Sequence, residues 1–195
     1  MMKATTFLAS ALLVSGMMAG AATAQQAAPD VKRIGAFQVR CFPIKSVAPC
    51  DLYEAGMNEQ SGQRVVSLSL AFMPSGGRYI LQVTVPLGVS IEKGVVITGS
   101  GFTSPALPFR RCDQTGCFVE APVGKDLVDA LAKLGADAKI RVTPEGQKDF
   151  EFPFSFDGFS SAHDDMVASN KAKAVTPEQL QAAQQQAQPA PAPAQ

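Results

Sequence analysis

Residues 66–85 constrain the fold of this chain more than any other stretch. Val66, Leu68, Leu70 and Phe72 alternate with Ser67, Ser69 and Ala71, and Tyr79, Leu81, Val83 and Val85 repeat the pattern after Pro74-Ser75-Gly76-Gly77. A period of two puts each apolar set on one face of a strand, and the Pro/Gly break reads as a turn, so this segment predicts a β-hairpin with one buried face. Shorter patterns predict strands at residues 37–41, 95–98, 109–111 and 117–120. Another lies around Ile140 and Val142, with Lys139 and Arg141 on its opposite face. Phe150, Phe152, Phe154 and Phe156 fall on one face of a late strand. Pro153 points the other way and has no N–H to donate, which marks this strand as a sheet edge. Residues 126–134 alone carry helical spacing, through Leu127, Val128, Leu131 and Leu134, with Asp126 and Asp129 early, Lys133 late and Gly135 as the stop. Many short antiparallel strands and one short helix predict an all-β fold, an immunoglobulin-like β-sandwich over residues 33–171 with the four phenylalanines in or near its core.

The two ends of the chain differ from this middle. Residues 1–24 join a basic start at Lys3 to an apolar run, Phe7 to Val14, and close on Ala22-Thr23-Ala24. Small residues at Ala22 and Ala24 suit a signal peptidase, so this reads as a signal peptide cleaved before Gln25. As an uncleaved membrane anchor the segment is weak, because Gly16, Gly20 and the Ala/Thr run dilute its second half. No Cys near the cleavage site points to a lipoprotein, and no second segment predicts a transmembrane helix in the mature chain. Residues 172–195 read as an Ala/Gln/Pro-rich, disordered tail, with Pro189, Pro191 and Pro193 alternating with Ala. Within it, Thr176-Pro177-Glu178-Gln179 has the form of a helix start, so a short frayed helix to about residue 188 is the competing reading.

Export makes disulfides the natural reading of Cys41, Cys50, Cys112 and Cys117. They form two local pairs, and Asp113-Gln114-Thr115-Gly116 between the second two suits a four-residue hairpin loop that would set its flanking residues opposite each other. The chain-entropy model gives about 2.7 kcal/mol for a Cys41–Cys50 ring and about 2.2 kcal/mol for Cys112–Cys117. Crossed pairings would close larger rings and are not excluded on energy; local geometry favours the two short rings. A zinc site is the weaker alternative, since C-x2-C spacing is absent and His163, the chain's single histidine, is remote in sequence.

The remaining chemistry is sparse. With 17 Lys+Arg against 17 Asp+Glu, the chain lacks the basic excess of a nucleic-acid binder. No phosphate loop or H-E-x-x-H is present, and Gly99-Ser100-Gly101 lacks the rest of a dinucleotide fingerprint, so no cofactor is expected. Gly158-Phe159-Ser160-Ser161-Ala162, one residue short of G-x-S-x-G and followed by His163, is the nearest catalytic look-alike. It lacks the strand-to-helix turn of a nucleophile elbow and reads as a polar C-terminal cap of the domain. Arg110 and Arg111 read as a solvated edge beside the second cysteine pair.

The string Gly35-Ala36-Phe37-Gln38-Val39-Arg40-Cys41 resembles the opening motif of the invasion-associated locus B family of Gram-negative exported proteins, with Phe37 where that motif usually has Trp. Cys50, Val85-Pro86-Leu87-Gly88-Val89, Arg111-Cys112, Gly116-Cys117 and the late Phe154-Ser155-Phe156-Asp157-Gly158-Phe159 continue the resemblance in order. It spans about residues 35–166. The resemblance implies a periplasmic or envelope-associated β-sandwich with paired cysteines and an association with host-cell invasion, but no catalytic residue. The expected function is a non-enzymatic interaction module in the periplasm, or else at the outer membrane or secreted. Its expected partner is an envelope protein, a cell-wall component or a host-surface component. The edge strand carrying Pro153 and the loop over residues 99–108 are the expected contact regions. The alternative is an envelope enzyme, either a hydrolase at Ser160/His163 or a thiol exchanger at Cys112/Cys117.

Overall fold

The structure, a computed structural model, describes residues 27–58 and 60–187. The signal-peptide reading of residues 1–24 and the last residues of the tail, 188–195, lie outside the described residues.

The predicted hairpin is β4 (Arg64–Met73) and β5 (Arg78–Val85), paired from Met73↔Arg78 outward. Pro74–Gly76 makes one 3-10 turn, and Gly77 closes it at φ 58°, a left-handed conformation that favours glycine. On one side of the hairpin lie β1 (Asp30–Ile34), β2 (Phe37–Cys41) and β3 (Cys50–Met57). On the other lie β9 (Gly116–Val123) and then β8 (Phe109–Asp113). All neighbours are antiparallel, and the row Val39, Leu52, Leu70, Leu81, Ala121 crosses five strands in register. Shifting any one strand by a residue would turn its apolar set to solvent, so burial fixes this register.

A second sheet runs in the order β11 (Phe150–Pro153), β10 (Lys139–Val142), β6 (Val96–Gly99), β7 (Phe102–Thr103). Its Ile97, Ile140 and Val142 join Leu68, Val83 and Val119 of the larger sheet in one core. Two antiparallel layers over one core make a β-sandwich, immunoglobulin-like in that layering, with an up-and-down meander for the first five strands. Each fully buried Leu or Ile of this core contributes about 1.5–3 kcal/mol of transfer free energy.

Helices depart from the sequence expectation of one. Helix α1 (Lys125–Leu131) is the predicted one, ending three residues before the predicted Leu134; it buries Val128 and Leu131, and Leu134 is buried in the turn that follows, its N–H donating to the Leu131 carbonyl. Helix α2 (Phe159–Lys173) occupies the segment read as a polar cap, and it lies across the β1–β4 half of the larger sheet. Its buried stripe is Phe159, Ala162, Met166 and Asn170. The helical period was present, but two of those four residues are small or polar, so little hydrophobic contrast marked it.

Helix α3 (Pro177–Ala187) corrects the reading of residues 172–195 as disordered over its own span. The Gln179 N–H donates to Thr176 Oγ1 at 3.2 Å while the Thr176 N–H donates to Gln179 Oε1 at 2.9 Å, a reciprocal capping box with Pro177 first in the helix. Ala, Gln and Leu are good helix formers, which lets the segment coil with little burial.

Two local expectations also change. The late strand stops at Pro153, so its four phenylalanines part company: Phe154 and Phe156 are buried, whereas Phe150 is 52% exposed. Beyond Pro153 the Phe154 N–H follows Ala138 and the Phe156 N–H turns to the Gly135 carbonyl, drawing those two rings inward. The second cysteine pair is joined by a two-residue turn, Gln114-Thr115, because Asp113 and Gly116 themselves pair.

Candidate functional site

The first and last motifs of the domain meet. Gly35, in the β1–β2 turn at φ 61°, and Gly158, before α2 at φ 77°, lie backbone to backbone. A Cβ at Gly35 would sit 2.5 Å from the Asp157 carbonyl oxygen, and one at Gly158 would sit 2.8 Å from that of Ile34. The Ala36 N–H donates to the Asp157 carbonyl at 3.1 Å and closes the junction. Beneath it Phe37, Phe156 and Phe159 are each at most 1% exposed, with Phe37 edge-on to Phe159 at 5.4 Å between centroids. Aromatic pairs at this spacing add about 0.5–1.5 kcal/mol beyond burial.

The other end of α2 is fixed by Asn170, which is fully buried. Its Oδ1 accepts the Cys50 N–H at 2.9 Å and its Nδ2 donates to the Cys50 carbonyl at 2.8 Å. The β3–β4 ladder begins one residue later at Asp51↔Ala71, so Asn170 meets the two backbone groups of Cys50 where a neighbouring strand would have done so. An ion pair between Lys32 and Asp165 ties α2 to β1 as well.

The structure joins Cys41 to Cys50 and Cys112 to Cys117, each pair directly across two antiparallel strands. All four cysteines are consumed, and among the described residues no group of His, Cys, Asp and Glu could hold a metal ion. The second disulfide lies in a polar hairpin. Asp113 accepts from the Thr115 N–H and hydroxyl, which with Arg111 hold its carboxyl below the usual range. No C-x2-C helix terminus of the thiol-exchange kind is present at that hairpin.

The Ser160/His163 pair does not assemble into a relay. His163 Nε2 lies 3.0 Å from the Tyr79 hydroxyl and Nδ1 lies 3.0 Å from Asp164 Oδ1, while the ring lies between Tyr79 and Phe159. Burial pushes the Tyr79 hydroxyl up, keeping it protonated and able to donate to the imidazole. The Ser160 hydroxyl is turned to the Ala132 carbonyl instead, at 3.4 Å. Both residues are in the first turns of α2, and their hydrogen bonds run to different partners rather than to each other.

Two open clefts coincide with the two regions singled out from sequence. One, of about 410 Å³, lies between the β6–β7 turn at Ser100 and Phe102 and, on the other side, Asp126, Asp129 and Ala130 of α1 with Lys133 and Leu134 of the turn after it. The other, of about 370 Å³, lies between the β3–β4 connection and β11, lined by Met57, Asn58, Val65, Phe150, Phe152 and Pro153. Met57 is 54% exposed, so with Phe150 it forms an apolar rim. β11 is also an outer strand. Because the Phe154 N–H turns toward β10, alternation sends the backbone of Glu151 and Pro153 outward, and Pro153 contributes only its carbonyl. Pro153 was legible in sequence as an edge marker. Met57 was missed, because β3 alternates weakly past Leu52 and gave no register from which to place it.

None of the curated proteins matches the chain. Among solved structures, invasion associated protein B from Bartonella henselae is similar over 73% of this chain and 99% of its own, with 23% identity and a TM-score of 0.61, a likeness of fold. The sequence model of the invasion associated locus B (IalB) proteins matches residues 37–167, which run from the aromatic plug Phe37 to the body of α2. That match covers β2 through β11, both disulfides and the Phe37–Phe159 contact, and the chain belongs to the invasion associated locus B family.

Proposed function

We propose that this protein is exported by a cleaved signal peptide at residues 1–24 and works in the periplasm as a non-enzymatic interaction module of the cell envelope. The observation that carries the reading is the rim formed by Met57, Phe150 and Phe152 beside the outward backbone of β11. An exposed apolar cluster next to an unpaired strand edge is a contact surface for another chain, and natural folds otherwise blunt such edges. The family supports an envelope setting, and no helix among the described residues is long and apolar enough to cross a membrane. The name of the Bartonella henselae neighbour motivates a link to host-cell association. No observation favours the enzyme readings: Ser160 and His163 have separate partners, and Cys112 and Cys117 are cross-linked on a hairpin.

Protease shaving of intact beside osmotically shocked cells tests the location. Protection until shock agrees with the periplasm, whereas cleavage in intact cells moves the protein to the surface. Cross-linking in the envelope with a photoreactive residue at position 150 tests the surface. A single adduct that disappears with Met57→Ser supports the contact, and the absence of any adduct rejects it.

A further inference from the structure

The cleft between α1 and the β6–β7 turn has a charge pattern of its own, separate from the β11 edge. Asp126 and Ala130, at i and i+4, share one face of α1, and the turn after the helix, in which the Lys133 N–H donates to the Ala130 carbonyl at 3.1 Å, keeps Lys133 near that face; all three line the cleft. Phe102 and Leu134 supply its apolar lining, and Leu134 is only 5% exposed. Asp129, four residues before Lys133, could have neutralised it, but its two oxygens instead accept from Lys125 Nζ at 2.6 and 2.7 Å. Among the described residues neither Asp126 nor Lys133 makes an ion pair. Asp126 and Lys133 are therefore the two cleft charges without an ion-pair partner, roughly 10 Å apart along the helix axis, with Ala130 and the Lys125-paired Asp129 between them.

A lone cation or a lone anion would satisfy one end and leave the other to water. A molecule carrying both charges at matching separation satisfies both. We propose that this cleft binds a short zwitterionic peptide of about three residues, with its ammonium group on Asp126, its carboxylate on Lys133 and an apolar side chain against Phe102 and Leu134. An extended chain advances about 3.3–3.6 Å per residue, so three residues span the gap. The volume of about 410 Å³ is within the range of small-ligand sites.

The test is an amide-resonance titration of the purified chain with Ala-Leu-Ala. Its N-acetylated form, its C-amidated form and the doubly blocked form serve as probes of each end. The expected result is saturable shifts at residues 100–102 and 126–134. Affinity should fall about threefold to tenfold on blocking either end or on Asp126→Asn or Lys133→Met, as for solvent-exposed charged contacts. Both side chains are exposed, and an unchanged spectrum away from the cleft verifies that each variant is folded. Three results would overturn the assignment: no saturable shift at roughly 10 mM peptide, a tenfold excess over a 1 mM Kd; equal affinity for the doubly blocked peptide; or shifts confined to other parts of the domain.

Discussion

Asn170→Ala is the substitution whose cost follows most directly from the structure. The side chain is fully buried and partners both backbone groups of Cys50, at 2.9 and 2.8 Å. Alanine would leave a buried N–H and a buried carbonyl without partners, at about 1–3 kcal/mol each. A water entering the vacated space would recover part of this, so the expected loss is about 2–5 kcal/mol. For a domain of this size that is a fall in Tm of roughly 6–20 °C. Urea unfolding followed by circular dichroism, with the disulfides intact, measures it, and the Cys50 amide should exchange faster with solvent.

Asn170→Asp sharpens the test. It keeps the acceptor for the Cys50 N–H but sets a second oxygen against the Cys50 carbonyl, where only a protonated carboxyl can donate. Burial and that carbonyl raise the folded-state pKa of the new carboxyl above the roughly 3.9 of an unfolded Asp. Stability is then fullest below that value and is lost as pH rises toward neutrality. The reasoning fails if Asn170→Ala unfolds within 0.5 kcal/mol of the parent, a margin of about the size of a neutral surface change. It also fails if Asn170→Asp shows no recovery in acid.

Gly158→Ala combines a left-handed φ with a Cβ 2.8 Å from the Ile34 carbonyl oxygen, so it should cost at least about 3 kcal/mol. Gly77→Ala, with φ 58° and open space around it, should cost only about 1–2 kcal/mol; equal losses in denaturant melts would remove the role given to the Gly35–Gly158 contact. Replacing Cys112 and Cys117 together by Ser should lower stability by about 2 kcal/mol yet leave the strand spectrum intact, because the β8–β9 ladder persists. Burial pushes the Glu54 carboxyl up, against the opposing effects of the Ala55 backbone N–H and of Arg33. Its ionisation therefore costs stability as pH rises above the ordinary glutamate range, so Glu54→Gln should raise Tm at neutral pH and leave it unchanged at about pH 3. Loss of the neutral-pH gain would contradict that sign.

Much of the sandwich was legible because β-structure writes its burial into a period of two. The β4–β5 hairpin and the inward residues of β2 and β9 could be read directly, as could the edge character of the Pro153 strand. Strand β1 was not, since Asp30-Val31-Lys32-Arg33-Ile34 has little apolar content and forms only because β2 offers it an edge to pair with. Of the candidate contact surfaces, Pro153 and the loop over residues 99–108 stood out in sequence. Met57 and the face that joins Asp126 to Lys133 needed a partner element to give them meaning.

Local pattern alone was enough for the alternating strands, the α1 stripe and the family motifs, and it favoured the two short cysteine rings, whose pairing the fold then settled. Contacts between distant segments made α2 a docked helix, because Phe159, Ala162, Met166 and Asn170 are marked less by their own hydrophobicity than by the sheet they cover. Those contacts also pair Gly35 with Gly158, more than a hundred residues apart, and give Ser160 and His163 different hydrogen-bond partners. Local periodicity records which side of an element is buried. What lies against that side depends on chain segments too distant for any local pattern to encode.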